Sequence, residues 1–435
     1  MSVTERKTAP RVRNGFKEDA GAFSRSGGVG PNFQGEIAVR KKRLYVIVVT
    51  GGLMVPLVAQ ADSSNVVIYG KLYPQIGQAK TTGATRPGAP VSTLTGAPGG
   101  NNIASHTEIN ASNSRLGFRG SEDLGNGYKA HFQIEQRVSI DSNTGLSSAR
   151  NSFVGLSGDF GLVKLGIHDS VYKSLGDGMN FLGISSGNFV SNSNILSKPA
   201  FGISKPGSFH LRPPNTILYE SPKFAGFQVH AQYATDEGKT DERDPHLQSY
   251  GVIFGRGGLY VAVAHEIHTD YFGGSRNAPA ALSNFTAAPD ANSKDTGTRA
   301  TLRYKFGNSR IEGNYAMLKY KETDGLPNRF KEYKQNAWSL GFDHRFGNWL
   351  AAISYARASA DSCSLVGGAA CSTSGLDGDM WSLGGSYSLS KRTSLFAMAT
   401  RLTNGRSARF NNMENGSADT GADITQAALG ISHSF

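Results

Sequence analysis

The sequence predicts an all-β protein, a sixteen-stranded antiparallel transmembrane β-barrel with an inward-folded third loop. Apolar and polar residues alternate with a period of two through most of the chain, which is typical of strands with one apolar face. Short and long connections also alternate between these segments, and one 46-residue connection, 169–214, has no regular period. After residue 61, no apolar run reaches the roughly 20 residues that a membrane-spanning helix needs.

The segment that begins at Tyr128 shows the alternation clearly. Its even-numbered positions from Tyr128 to Val138 are almost all apolar, whereas the odd-numbered positions from Lys129 to Arg137 are charged or polar. Successive side chains of a strand point to opposite faces, so one face is apolar and the other polar. A closed barrel with this pattern, short turns on one rim and long loops on the other is typical of outer membranes. A soluble sandwich of two packed sheets is the alternative.

Sixteen segments fit this pattern. They are 66–78, 112–122, 128–140, 150–157, 162–168, 215–222, 227–235, 247–254, 259–269, 295–305, 309–322, 334–345, 349–360, 379–389, 393–403 and 424–435. Tight and long connections alternate strictly between them, which fits an up-and-down meander with one elaborated rim.

The N-terminal region has the features of a secretory signal peptide at residues 39–61. A basic stretch, 40–43, precedes an apolar run, 44–58, and Ala59-Gln60-Ala61 forms a small-x-small cleavage site. We therefore expect residues 62–435 to form the mature barrel and residues 1–38 to be a non-structural upstream extension. A membrane anchor is the alternative interpretation of the apolar run.

Most of the formal charge lies in this removable region. The whole chain carries +11, but residues 1–61 hold 10 Lys and Arg against 4 Asp and Glu, which leaves +5 after residue 61. The charge therefore indicates no nucleic-acid partner.

Two cysteines, Cys363 and Cys371, lie in a segment rich in Gly, Ser and Ala. One close pair in an exported chain predicts a local disulfide, here in a loop-stiffening role. No nearby histidine completes a metal site, and no metal or other cofactor is expected. We find no Ser/His/Asp set in convincing register and no phosphate-binding glycine loop, so no catalytic residue is assigned and the sequence does not indicate an enzyme.

Several motifs resemble those of the general porins of Gram-negative bacteria, nearest to the beta-proteobacterial type. They are VIYGK at 67–71, SRLGFRGSEDLG at 114–125, RNSFVGLS at 150–157, YESPKFAGF at 219–227, LSKRT at 389–393 and LGISHSF at 429–435. The motifs follow the family's order along almost the whole chain after residue 61.

The resemblance implies a homotrimer of barrels in the bacterial outer membrane, surrounded by lipid and lipopolysaccharide. It further implies that loop 169–214 narrows a pore through which small hydrophilic solutes and inorganic ions diffuse passively. The family's basic pore wall maps onto four residues, Lys71, Arg115, Arg150 and Arg212.

Strand parity supports part of this wall independently. Lys71 and Arg115 lie opposite the apolar face of their strands. Arg150 shares its parity with two apolar residues of the same segment, so we place it in the lumen on the expectation that Phe153 faces lipid. Further lumen charges are predicted at Arg119, Lys129, Glu135 and Arg137.

The constriction loop departs from the pattern of many general porins, which set acidic residues of this loop against the basic wall. Between residues 178 and 211 it has no Asp or Glu, only Lys198, Lys205 and His210. Basic groups within the screening length of about 8 Å at physiological ionic strength act together, and Arg and Lys rings favour anions. We therefore predict an anion preference, which an inward acid such as Glu135 can offset in part.

Two alternatives to a general diffusion channel stay open. A solute-specific channel needs stacked aromatic residues in the pore or a loop shaped for its substrate. The aromatic residues of the third loop are irregularly spaced, which favours packing of the loop on the wall; they are Phe181, Phe189, Phe201 and Phe209. A non-conducting structural or adhesive barrel needs a filled lumen, whereas a sixteen-stranded barrel is wide enough for water.

Overall fold

The computed structural model describes residues 66–85, 99–111, 113–176, 188–202, 207–271, 292–322, 330–368 and 371–435. The predicted signal peptide and the extension before it lie outside the described residues. The strands are β1 (Val67–Leu72), β2 (Gln75–Thr82), β3 (His106–Asn110), β4 (Arg115–Gly125), β5 (Tyr128–Ser139), β6 (Gly145–Ala149), β7 (Ser152–Gly158), β8 (Gly161–Ile167), β9 (Thr216–Glu220), β10 (Phe227–Thr235), β11 (His246–Arg256), β12 (Leu259–Thr269), β13 (Lys294–Phe306), β14 (Ser309–Lys321), β15 (Phe330–Phe346), β16 (Trp349–Leu365), β17 (Asp377–Ser388), β18 (Thr393–Asn404) and β19 (Asp423–Ser434).

These segments form one closed antiparallel barrel of sixteen strands. Three interruptions divide single barrel strands into β1 and β2, β3 and β4, and β6 and β7, so nineteen segments make sixteen strands. The last strand, β19, pairs with both β1 and β2, and this pairing closes the sheet. The predicted fold class, a sixteen-stranded antiparallel barrel, is confirmed.

In the described part of the chain, two short helices interrupt the strand pattern, both within connection 169–214. They are α1 (Val171–Gly176) and α2 (Ser193–Leu196). No helix among the described residues is long and apolar enough to cross a membrane.

The tight turns have the backbone conformations that two-residue hairpins require. Between β4 and β5, Asn126 and Gly127 have φ angles of 51° and 82°. Both central residues of a type I′ turn need positive φ, and Asn-Gly is the preferred pair because neither residue resists the left-handed region strongly. This turn therefore joins the two strands in register.

The strand faces separate polar from apolar residues as their parity predicts. Along β15, Trp338, Leu340 and Phe342 are 40–50 % exposed on the outside, while the intervening Ser339 and Asp343 are at most 5 % exposed. The outward aromatic residues continue around the barrel, since Tyr355 and Trp381 pack side by side at 4.6 Å. The barrel exterior is thus apolar and its interior polar.

Several strands extend further than the alternation predicts, mostly on the long-loop side. β15 begins four residues before the expected segment 334–345, and β16 ends five residues after the expected segment 349–360. In addition, β3 and β6 lie in segments that were expected to be loops. Beyond the lipid-facing zone a strand needs no apolar face, so backbone pairing continues where the alternation stops. A register shift between Lys334 and Gln335 also changes the local parity.

Candidate pore site

The first part of connection 169–214 lies against the polar face of β10–β12. The backbone N–H of Val171 donates to Gln232 Oε1 at 2.9 Å, and that of Tyr172 donates to Ser249 Oγ at 3.0 Å. The Tyr260 hydroxyl donates to the Leu175 carbonyl at 2.9 Å. Polar side chains of the wall therefore satisfy the backbone groups of α1, which would otherwise be buried without partners.

The second part of this connection is attached to β14–β17. Gln335 accepts a hydrogen bond from the Ala200 N–H at 2.8 Å and donates to the Lys198 carbonyl at 2.9 Å. Phe201 packs edge-on against Tyr333, with ring centroids 4.9 Å apart. Phe201 and Phe209 are at most 2 % exposed, so they pack on the wall. Phe181 lies outside the described residues.

Two arginines of the predicted basic wall, Arg115 and Arg150, meet at the carboxylate of Glu135. Glu135 Oε2 lies 3.8 Å from Arg115 Nε and accepts a hydrogen bond from the Tyr69 hydroxyl at 3.0 Å. Its other oxygen forms an ion pair with Arg150 Nε. Lys71 lies directly across the strand pair from Arg115. The predicted inward acid is therefore placed between two of the wall arginines, where it offsets part of their charge.

The side chain of Arg150 lies in this cluster, but for a different structural reason from the one that strand parity suggested. The expectation that Phe153 faces lipid was wrong. Val154 is the outward residue at 65 % exposure, while Phe153 packs against His168 at 5.8 Å. The strand is interrupted between β6 and β7, and its register against β5 shifts there. This irregularity reverses the parity, so Arg150 and Val154 point to opposite sides.

Arg212 lies in a second cluster, with residues of connection 169–214, which we name the constriction segment for its predicted role. Asp169 Oδ1 is 2.9 Å from Arg212 Nε and 2.7 Å from Lys173 Nζ. Burial raises the pKa of Asp169, but the two cations outweigh it and hold that pKa well below its ordinary value. Arg212 Nε also donates to Asn151 Oδ1 at 2.9 Å. Because Asn151 follows Arg150, this bond links the two basic clusters.

A cavity of about 670 Å³ lies between the constriction segment and the connection from β18 to β19. Its lining contains no Asp or Glu among the described residues, and its basic members are Lys173, Lys198, His210, Arg212 and Arg409. An adjoining cavity of about 200 Å³ shares Lys198 and His210 and carries one acid, Glu414. The predicted loop residues Lys198 and His210 thus meet Arg212 at one space; Lys205 lies outside the described residues.

Lys198 is held by polar atoms at this cavity. Its ammonium donates to Asn194 Oδ1 at 2.8 Å and to the Asn411 carbonyl at 3.4 Å. Neither acceptor is a carboxylate, and burial lowers the pKa of Lys198 to about 8. The group therefore carries a charge that varies near neutral pH.

Arg409 and Lys173 are the two basic lining residues that the sequence did not predict. Arg409 lies in the connection from β18 to β19. Its backbone N–H donates to the Ala200 carbonyl at 2.6 Å, and its Nε donates to the Ala418 carbonyl at 3.2 Å. The connection 405–422 is further joined to the constriction segment by Asn412, which donates to the Phe189 carbonyl at 2.8 Å. The only sequence signal was a basic residue in a long connection, which does not indicate an inward position.

The last long connection is also bonded to the first. Thr85 Oγ1 donates to the Arg406 carbonyl at 2.8 Å, and the Thr85 N–H donates to the Thr420 carbonyl at 2.8 Å. Three long connections are therefore joined by hydrogen bonds.

The remaining predicted lumen charges lie away from the cavity. The Arg119 guanidinium lies over the Tyr69 ring at 4.9 Å, and Arg137 is paired across the strands with Arg115. Lys129 lies 3.5 Å from Asp123 beside the turn between β4 and β5, where both are exposed. None of the three lines the 670 Å³ cavity. The same is true of Lys71, Arg115 and Arg150, so Arg212 is the one member of the predicted basic wall in its described lining.

The two cysteines are joined by a disulfide from the end of β16 to Cys371. In the described parts of the chain, no group of three or more His, Cys, Asp or Glu residues is arranged to hold a metal ion.

A closed barrel with an apolar exterior and basic groups in its polar interior defines an outer-membrane channel protein. The family model for Gram-negative porins matches residues 46–407. The chain therefore belongs to the Gram-negative porin family, whose members are outer-membrane channels for passive diffusion.

Neisserial outer-membrane proteins are among its relatives. Major outer membrane protein P.IB of Neisseria lactamica is 30 % identical over 239 residues, 49 % of this chain and 68 % of that protein. P.IB of Neisseria meningitidis serogroup B is 30 % identical over 229 residues, 47 % of this chain and 64 % of that protein. The match thus spans about two thirds of the length of each relative.

Solved porins share the fold. The anion-selective porin from Comamonas acidovorans superposes with a TM-score of 0.63 at 23 % identity, covering 86 % of this chain and all of that one. OmpT of Vibrio cholerae, in a trimer form, superposes with a TM-score of 0.57 at 13 % identity over the same shares.

Proposed function

We propose that this porin is a diffusion channel for small hydrophilic solutes and inorganic ions, and that it prefers anions. The observation that carries the proposal is the 670 Å³ cavity, whose described lining is basic without any acid. Residues of the constriction segment 169–214 and of the last long connection both line this cavity. In this proposal the constriction segment narrows the lumen.

The charge balance around the cavity and the adjoining wall supports the anion preference. The bases are Lys71, Arg115, Arg150, Lys173, Lys198, Arg212 and Arg409, and the acids are Glu135, Asp169 and Glu414. The seven bases outnumber the three carboxylates, so the net charge of this group is positive. A unit charge at 4 Å is worth roughly 1 kcal/mol in water and more beside low-dielectric walls.

The zero-current potential of the refolded protein in a planar bilayer under a KCl gradient tests this preference. We expect the sign of a chloride-preferring channel, weakening towards 1 M salt because the Debye length falls to about 3 Å. Arg212→Gln and Arg409→Gln should each reduce it. Lys391→Gln, in the exposed turn before β18, is the matched control and should leave it unchanged. A cation-preferring potential contradicts the proposal.

The proposal includes a homotrimer without enzymatic activity. The family resemblance and the trimer form of OmpT support the oligomer, and a family of channel proteins supports a transport role. Light scattering of the detergent-solubilised protein measures the protomer number, and a monomeric mass contradicts the trimer.

A further inference from the structure

The cavity of about 200 Å³, which we name the small cavity, differs in chemistry from the larger cavity beside it. The charged side chains in the described lining of the larger cavity are all basic. The described lining of the small cavity is made mainly of four asparagines and two serines, and it pairs one lysine, Lys198, with one acid, Glu414. The two cavities share Lys198 and His210. A space that holds both an ammonium and a carboxylate suits a solute that carries both charges.

Lys198 and Asn188 supply hydrogen-bond donors to the small cavity. The Lys198 ammonium donates to Asn194 Oδ1 at 2.8 Å and to the Asn411 carbonyl at 3.4 Å, and an ammonium has three protons. Asn188 Oδ1 accepts a hydrogen bond from the Val190 N–H at 3.3 Å, which fixes the orientation of this amide. Asn188 Nδ2 has no hydrogen-bond partner in the described part of the chain. These two donors suit a carboxylate.

Glu414 and Asn412 supply hydrogen-bond acceptors. Glu414 Oε1 accepts a hydrogen bond from the Phe189 N–H at 2.9 Å, and Asn412 Nδ2 donates to the Phe189 carbonyl at 2.8 Å. Both side chains are therefore held at the same residue of the constriction segment. The bond from Nδ2 also fixes the orientation of the Asn412 amide, and Asn412 Oδ1 has no partner among the described residues. A carboxylate and an amide oxygen together suit an ammonium.

The two amide atoms without partners belong to deeply buried side chains. Asn188 is 2 % exposed and Asn412 is 4 % exposed. A buried donor or acceptor without a partner destabilises a folded protein, so a ligand that brings one acceptor and one donor is favoured here. One water occupies about 30 Å³ of the liquid, so the small cavity has room for about six or seven heavy atoms.

We propose that the small cavity binds a small zwitterionic α-amino acid. Its carboxylate accepts hydrogen bonds from Lys198 and Asn188, and its ammonium donates to Glu414 and Asn412. The amino-acid site rests on the proposed function, because the channel brings the solute to it. It gives the channel a preferred class of organic solute, in addition to the inorganic anions that the basic residues attract.

Saturation-transfer NMR on the folded protein in detergent tests this site with four probes of equal heavy-atom number. They are L-alanine, L-lactate, in which a hydroxyl replaces the ammonium, L-alaninamide, in which an amide replaces the carboxylate, and uncharged glycerol. Each analogue lacks at least one charge-assisted hydrogen bond, so we expect L-alanine to bind about tenfold more tightly than each of them. Equal or tighter binding of lactate, alaninamide or glycerol overturns the proposal.

Variants of the two charged residues assign the ends of the ligand. Glu414→Gln keeps an acceptor for the Phe189 N–H but removes the charge, so it should weaken alanine binding about tenfold and leave lactate binding in place. Lys198→Met should weaken the binding of both probes about tenfold. Glu242→Gln, in the exposed connection after β10, is the matched control and should change neither.

The retention of lactate binding shows that the small cavity is intact in the Glu414→Gln protein. If this variant loses the binding of both probes, Glu414→Asp decides, because it keeps the carboxylate and should still prefer alanine to lactate. Unchanged alanine binding in Glu414→Gln, or no preference for alanine in Glu414→Asp, overturns the assignment of Glu414.

Binding of alanine and conduction of ions are measured separately. Saturation transfer needs no ion flow, so a cation-preferring zero-current potential contradicts the proposed function without changing the alanine result. Absence of alanine binding to a protein that conducts and prefers chloride overturns the amino-acid site alone.

Discussion

The carboxylate of Glu135 is the group whose removal tests the electrostatics of the wall most directly. It lies between Arg115 Nε, at 3.8 Å, and Arg150, with which it forms an ion pair. Glu135→Gln keeps the size of the side chain and an acceptor oxygen for the Tyr69 hydroxyl, but it removes the negative charge. The two guanidinium groups then act on the lumen without compensation.

The magnitude follows from Coulomb's law. A monovalent ion about 4 Å from the lost charge changes its energy by roughly 1 kcal/mol in water-like dielectric, which corresponds to about a fivefold change in equilibrium. Chloride is favoured and potassium disfavoured by the same amount, so the permeability ratio of chloride to potassium should rise by up to about 25-fold in the Glu135→Gln protein. The zero-current potential under a KCl gradient measures this ratio, and the difference from wild type should shrink in high salt.

Asp123→Asn is the matched control for this change. Asp123 also pairs with a base of the barrel, Lys129, but at an exposed rim far from the constriction segment. The control should leave the permeability ratio unchanged. If Glu135→Gln leaves the ratio unchanged or lowers it, the carboxylate does not offset the wall arginines, and the reasoning fails.

Three other predictions concern the constriction segment and the precursor. The charge of Lys198 is present below its pKa of about 8 and is lost as the pH rises through that value, so the anion preference should fall in this range. Lys198→Met should flatten this part of the pH profile of the zero-current potential. An equally steep profile in the variant contradicts the assignment to Lys198. Gln335→Ala leaves the Ala200 N–H and the Lys198 carbonyl without their partner, which lowers the free energy of unfolding by about 1–3 kcal/mol for each group. We expect a lower melting temperature and noisier single-channel currents. Quiet currents together with wild-type stability refute the role of Gln335 as an anchor of this segment. N-terminal sequencing of the protein from outer membranes should begin at Asp62, and a chain that retains residues 44–58 supports a membrane anchor instead.

The alternation of apolar and polar residues predicts the barrel, because a strand that faces lipid on one side needs an apolar side chain at every second position. The alternation through β5 and β15, and turns such as Asn126-Gly127, are local signals. Each one predicts its own strand or turn without information from the rest of the chain. Where the lipid constraint ends, prediction weakens. The interruption beside Arg150 reverses the parity that the following apolar residues suggest, and only the register against β5 shows it.

The pore cluster was predicted in part for a similar reason. Lys71 and Arg115 are placed by parity within regular strands, whereas Arg212 and Lys198 lie in a segment without a period and were assigned by resemblance and composition. Arg409 has no local signal, because its position depends on a backbone hydrogen bond to Ala200, more than two hundred residues earlier in the chain. Long-range loop contacts of this kind are not encoded in a short window of sequence.

The bonds among three long connections also limit where this porin tolerates insertions. A peptide inserted near Arg409 must displace contacts with both Ala200 and Thr85, so it alters the constriction segment and the first connection together. The connection after β10 is different, because residues 236–242 are exposed throughout. An epitope or affinity tag belongs there, where extra residues extend into solvent without changing the permeation path.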